Sequence, residues 1–216
     1  MRRLAAASLA GTLFAIPTAA RADLFSSLSY GAHVSTIGDG VTLEKPLLYN
    51  FSARIATGSA SVSQQFSYDG NPYTATTKYR NLAVIADFRP SGGRYRISGG
   101  IVLGNDRVDL TARDDGANLR VGNGLYPVSG TGIVTGRVAY DRPSIYAGVG
   151  TGTGLVRGLT LAFDAGVLVR NGTATVNATG PLANDPAFRA DMNRVRGEFR
   201  THAVVPVLTL GLTFRP

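Results

Sequence analysis

Apolar residues recur at every second position along much of this chain. In the last stretch, Val204, Pro206, Leu208, Leu210, Leu212 and Phe214 share one face, opposite residues that include Thr209, Gly211 and Thr213. Leu82, Val84, Ala86 and Phe88 repeat the pattern against Asn81, Ala83, Ile85, Asp87 and Arg89. Tyr95, Ile97, Ile101 and Leu103 do so against Arg94, Arg96, Ser98 and Gly100. Leu159, Leu161, Phe163, Ala165, Val167 and Val169 oppose Thr160, Ala162, Asp164, Gly166 and Arg170, and Phe51, Ala53 and Ile55 oppose Ser52, Arg54 and Gly58. A period of two is the mark of a strand.

A soluble sandwich also alternates, so two further features decide. The apolar face persists for about ten residues per strand, the length that crosses a bilayer at a tilt. The opposite face mixes Arg, Asp, Gly, Ser and Thr, which suits a polar interior. An open sheet edge does not survive in lipid, so the sheet must close. The expected fold is all-β, a closed antiparallel transmembrane β-barrel whose last strand turns its apolar face to lipid and pairs with the first.

Short connections at Lys45–Tyr49 and Ser91–Gly93 alternate with long polar ones at 60–78, 104–131 and 180–202. Outer-membrane barrels show this asymmetry between periplasmic turns and outer loops. The spacing predicts eight strands, at about 26–34, 37–45, 50–60, 79–90, 94–104, 132–151, 159–178 and 203–215. The sixth and seventh are overlong and change apolar parity across Asp141-Arg142-Pro143 and Asn171-Gly172. Asn-Gly marks either a hairpin or a bulge, and two true turns would give ten strands. The run Gly150 to Gly154 reads as part of a turn. A short helix is predicted in the last outer loop, over the barrel mouth. Asp185 is its N-cap and Pro186 its first residue, while Phe188, Met192, Val195 and Phe199 share a face.

Composition sharpens this picture. Twenty-seven glycines favour tight turns and crowded strand faces over a helical bundle. A net charge of +8 invites a nucleic-acid reading, but the basic residues are scattered singly without an RNA-binding aromatic signature, so no nucleic acid is expected. No cysteine is present, so no disulfide or thiolate metal site is expected. Residues 1–22 read as a signal peptide: Arg2 and Arg3, an apolar run from Leu4 to Ile16, and Ala20-Arg21-Ala22 before a cut at Asp23. Residues 23–216 are then the outer-membrane barrel, reached by export.

The stretches "VIADFRPSGGRYRISGGIVL", "PSIYAGVG", "GVLVRNGTATVNATGP" and "PVLTLGLTFRP" resemble small Gram-negative outer-membrane barrels of the CarO-like, carbapenem-resistance-associated family. The resemblance covers most of residues 28–216. It implies an eight-stranded monomeric barrel in the outer membrane, and uptake of small solutes such as amino acids. It assigns no binding residue. Such barrels usually end in an aromatic residue read by the assembly machinery, whereas here Arg215-Pro216 follows Phe214. Outer-membrane lipid, lipopolysaccharide and the barrel-assembly machinery, through the C-terminal strand, are the partners this implies.

Catalysis is not expected. His33 and Ser35 fall on one strand face, but no third group orients the histidine as a triad requires. Asp114-Asp115 could mimic a paired-carboxylate site, though adjacent acids in a polar loop are ordinarily just solvated. No cofactor or metal is implied. The informative set is the charge at inward positions: Arg54, Asp87, Arg89, Arg94, Arg96 and Asp164, with Glu44, Arg137 and Arg170 beside them. Charges in a narrow interior must pair or be hydrated. They form either an ion-pair network that stiffens the barrel or a path whose arginine excess favours small anionic or zwitterionic solutes. A narrow passive channel, a non-conducting structural or surface-interaction barrel, and an outer-membrane hydrolase follow in that order.

Overall fold

The computed structural model describes residues 27–68, 71–90, 93–112, 118–199 and 201–216. The signal-peptide segment, the Ser91-Gly92 half of one turn and Asp114-Asp115 lie outside the described residues. Thirteen strands are present among them: β1 (Ser29–Ser35), β2 (Gly40–Leu48), β3 (Phe51–Tyr68), β4 (Asn71–Phe88), β5 (Tyr95–Gly104), β6 (Asp106–Ala112), β7 (Asn118–Val121), β8 (Gly124–Pro127), β9 (Val134–Tyr140), β10 (Ser144–Val156), β11 (Leu159–Asn171), β12 (Thr173–Ala178) and β13 (His202–Phe214).

Eight of these strands form a ring. Each consecutive pair among β1, β2, β3, β4 and β5 is antiparallel, β5 continues to β10, β10 to β11, and β11 to β13. β13 returns to β1, with Tyr30 opposite Phe214 and Ser35 opposite Thr209. The last strand therefore does pair with the first, and the ring has no open edge along these ladders. Ser29 and Phe214, the outer ends of β1 and β13, lie with Asn50, Pro90 and Gly158 at one end, the turn end. The long connections lie at the other.

Outward positions on the ring are apolar yet uncovered: Val34, Val41, Ile55, Val84, Ile101 and Leu210 are each between 41% and 58% exposed. On β13 the apolar face runs from Val204 to Phe214, which at roughly 3.3 Å per residue and a 40° tilt makes a band about 25 Å tall. An apolar belt of that extent is what a sheet presents to lipid, not to water. Aromatic residues collect at the turn end of the belt. Tyr30 packs edge-on against Phe214 at 5.7 Å, and Phe51 lies 4.8 Å from Phe88, the place where amphipathic rings meet head groups. Among the described residues no helix is long and apolar enough to cross a membrane.

Above the ring a second sheet rises. The segments 60–78 and 104–131, expected as polar loops, are largely strand. β3 and β4 run on as a long hairpin, and where β5 ends at Gly104 its place beside β4 is taken by β6. β6 then pairs with β9, and β9 with β12. The two overlong strands predicted at 132–151 and 159–178 are each broken where the parity changes. Residues 141–143, ending in a proline with no N–H for a ladder, separate β9 from β10. Gly172 separates β11 from β12. Neither break is a hairpin turn: the chain leaves the ring and joins the upper sheet, so the ring stays at eight. Lys45 to Leu48 belong to β2, and the turn falls at Tyr49, whose φ is 43°.

The predicted helix is α2 (Pro186–Glu198), following the single turn α1 (Val128–Thr131). Asp185 caps it, its Oδ1 accepting from the Phe188 N–H at 2.9 Å. Phe188 and Met192 are buried with Leu119 and Val121 of β7, and Val134, Val176 and Val195 pack around them. α2 thus packs on the upper sheet beside the β7–β8 hairpin and builds a small second core.

Phe188→Ala should cost that core about 3–5 kcal/mol. Hydrogen exchange is expected to rise in α2, β7 and β8 while the ring strands stay protected. The Tyr126 hydroxyl donates to Asp191 Oδ2 at 2.8 Å, and this bond to a carboxylate, with some burial, raises the phenol above its ordinary value. The bond therefore stabilises the cap fully below the ordinary tyrosine range and is lost as pH rises through the raised value. Tyr126→Phe should lower the protection of α2 at neutral pH and remove this alkaline loss, because phenylalanine has no proton to give up.

Candidate functional site in the ring interior

Period-2 geometry sends every second residue of each ring strand inward, and the interior fills in layers. At mid-height Arg54 of β3 meets carboxylates from two other strands. Its Nη1 donates to Asp164 Oδ2 at 3.1 Å and its Nη2 to Asp87 Oδ1 at 3.0 Å, while its Nε faces Asp87 Oδ2 at 3.0 Å. Arg96 of β5 binds Asp164 through two parallel bonds, Nε to Oδ1 at 2.9 Å and Nη2 to Oδ2 at 2.6 Å. Ser98 Oγ donates to Asp87 Oδ1. Arg54, Asp87, Arg96 and Asp164 are all buried.

Toward the turn end a second pair joins β2 to Arg89, the residue that follows β4. Arg89 Nη2 donates to Glu44 Oε1 at 2.6 Å and its Nη1 to Ser52 Oγ at 2.9 Å. Ser52 in turn donates to Glu44 at 3.0 Å. These two layers hold three arginines and three acids, so their charges balance.

Toward the outer end the interior turns apolar. Ile37, Ile85, Val102, Tyr146, Leu168 and Val207 pack together, and only about 50 Å³ of space remains among them. Ile37 comes from the β1–β2 turn and is held inward, its carbonyl accepting from Asn81 Nδ2 at 3.1 Å. Gly38, at φ 121°, makes that turn possible, because a Cβ there would stand 2.6 Å from the Ser59 nitrogen. Above this layer Arg170 Nη1 donates to Asp106 Oδ2 at 3.2 Å, with its guanidinium 4.0 Å from the Tyr140 ring centre. Asp106 Oδ1 also accepts from the Arg80 N–H at 2.8 Å, where β6 succeeds β5.

Of the inward charges read from the sequence, the structure joins Arg54, Asp87, Arg96 and Asp164 in one network and Arg89 with Glu44 in another. Arg94 is exposed at the turn-end mouth. Arg137 is not in the ring interior at all: it stands on the upper sheet, bonded to Asp109 and more than half exposed. It falls there because the break at 141–143 moves β9 out of the ring. His33 bonds Thr42 Oγ1 at 2.9 Å, and Ser35 Oγ accepts from Thr209 at 3.1 Å, so the two do not form a base–nucleophile pair. His202 bonds Asn171 at the outer rim.

The run Gly150 to Gly154, read as a turn, is strand. Gly148, Gly150, Gly152 and Gly154 are alternate residues of β10 and give its inward face no side chains. A Cβ on Gly150 would stand 2.2 Å from Asp164 Oδ1 and 2.8 Å from Arg96 Nε; one on Gly148 would meet the Tyr146 hydroxyl at 2.5 Å. The network and Tyr146 fit only because β10 is bare there. Glycine at period two was the signal in the sequence that marked this wall.

Asp87→Ala leaves Arg54 short of a partner in a closed interior and should cost about 3–5 kcal/mol, read as a lower urea midpoint in micelles. The double replacement Arg54→Met with Asp87→Leu should recover most of that loss, since an apolar pair of similar volume can stand in for a buried ion pair.

No family model matches the chain, and no curated protein sequence matches it. Solved structures do. CarO2 of Acinetobacter baumannii aligns at a TM-score of 0.61 and 15% identity, over 87% of this chain and 97% of that one. CarO of the same organism aligns at 0.57 and 19% identity, over the same shares. The ring of eight strands, its short turns at one end and these alignments agree, and the chain has the fold of the CarO-like outer-membrane β-barrels.

Proposed function

We propose that this chain is an outer-membrane β-barrel whose interior is closed by its own side chains, presenting the upper sheet and its helix outside the cell. The observation that carries the reading is the double closure of the ring: an apolar layer around Ile37 and Tyr146, and beneath it the Arg54–Asp87–Asp164–Arg96 layer. An eight-stranded barrel has room for little else. The apolar belt would face outer-membrane lipid, the upper sheet would stand among lipopolysaccharide, and the ring closes within one chain, as a monomer. The barrel-assembly machinery would receive the C-terminal strand.

One observation favours a second reading, a narrow passive channel for small solutes such as amino acids. The turn-end half of the interior already holds a cavity of about 540 Å³, so the Arg54 layer, the apolar layer and the Arg170–Asp106 pair above them separate it from the outer side. A channel would need Ile37 and Arg54 to move.

Planar-bilayer recording separates the two. Wild type should show near-zero conductance, and Ile37→Gly combined with Arg54→Ala should open a small, salt-dependent one. Sustained single-channel steps in wild type would overturn the closed reading and favour the channel.

A further inference from the structure

We propose that the turn-end cavity is a blind binding site for small, multiply charged oxyanions. Its volume of about 540 Å³ lies within the range of small-molecule sites. Its inner end stops at the Arg54–Asp164–Arg96 layer, so a solute that enters leaves by the same mouth.

The charge on its walls is one-sided. Arg89, Arg94, Arg96 and Arg215 line it against a single acid, Glu44. Glu44 is taken by Arg89 at 2.6 Å, and Arg96 is held by Asp164. That leaves two cations without a carboxylate partner among the described residues. Arg215 gives only its Nε, to Ser29 Oγ at 3.1 Å, and Arg94 is exposed. Guanidinium forks match carboxylate and phosphate oxygens in paired bonds. A cavity walled by low-dielectric strands strengthens the attraction relative to a flat surface.

The space itself is built by sequence. Gly152 and Gly154 continue the bare face of β10 past the level where Tyr146, Arg96 and Asp164 fill it. At Gly150 a Cβ would strike the network; at Gly154 it would meet nothing within 4 Å. The same glycine period makes a tight fit deeper in the ring and an open hollow at its mouth. At Gly152 a Cβ would stand 3.1 Å from Thr160 Cγ2, but glycine at 154 is not required by packing, and its effect is to leave room beside unpaired arginines.

Entry from the periplasmic side rests on the barrel reading above; binding in micelles, which have no sides, does not. The full chain, refolded in detergent and checked by its heat-shifted gel mobility, would be titrated calorimetrically with citrate, with inorganic phosphate, and with uncharged sorbitol. Saturable binding of citrate or phosphate at one site per chain is expected, with none for sorbitol. The anion that binds more tightly names the class as polycarboxylate or phosphate. Gly154→Leu fills the hollow without touching any charge and should weaken binding at least tenfold. Arg94→Gln should weaken it about tenfold, the effect of one charge-assisted bond. Absence of saturable binding to either anion overturns the proposal, and so does unchanged affinity in Gly154→Leu, which would reduce the effect to diffuse attraction by surface arginines.

Discussion

Because a ring of eight strands encloses little more than the width of its own side chains, each inward residue must be matched to the residues facing it across the lumen. Arg54 illustrates the constraint. Its guanidinium reaches Asp87 on the neighbouring strand and Asp164 across the ring, and the second acid is shared with Arg96. Removing the charges from water is costly, and pairing them offsets that cost without a large surplus. The network therefore acts chiefly to fill the ring, and its contribution to stability is secondary.

The same constraint explains where glycine is spent. A side chain as large as Tyr146 can lie in the interior only if the strands beside it are bare, and it rests against Gly148 and Gly166, where any Cβ would come within 3 Å of its ring or hydroxyl. Large and empty positions thus come in pairs. Where the large partner is missing, at Gly152 and Gly154, a cavity remains. Open volume and closure in this lumen are one packing pattern read at two heights.

The upper sheet obeys different rules. β9 and β12 have left the ring, so their apolar faces no longer have lipid on one side and a lumen on the other. They are covered instead by α2 and the β7–β8 hairpin, which form a water-excluding core of the kind found in soluble domains. Arg170, on the last turn of ring strand before that departure, joins the two regions by stacking on Tyr140 and binding Asp106 at the start of β6.

Alternation along the chain by itself determined the strand class, the outward apolar belt, and the inward placement of Arg54, Asp87, Arg96 and Asp164, because in a strand parity alone fixes the face. The cap residues Asp185 and Pro186 and the 3–4 spacing of Phe188, Met192 and Val195 determined the helix, since those signals act within one turn. The parity changes at 141–143 and 171–172 were visible too, but their meaning was not. A strand that breaks and joins a different sheet looks locally like a bulge or a turn, and only pairing between residues far apart in sequence distinguishes them. For that reason Arg137 left the lumen, the loops at 60–78 and 104–131 became strand, and Asp106 became the partner of Arg170. Tertiary structure alone also decided what lies over the bare face of β10, Tyr146 of the same strand at Gly148 and Arg96 of neighbouring β5 at Gly150: bare positions in a sequence state where side chains are absent, and the side chains folded beside them state what occupies the space.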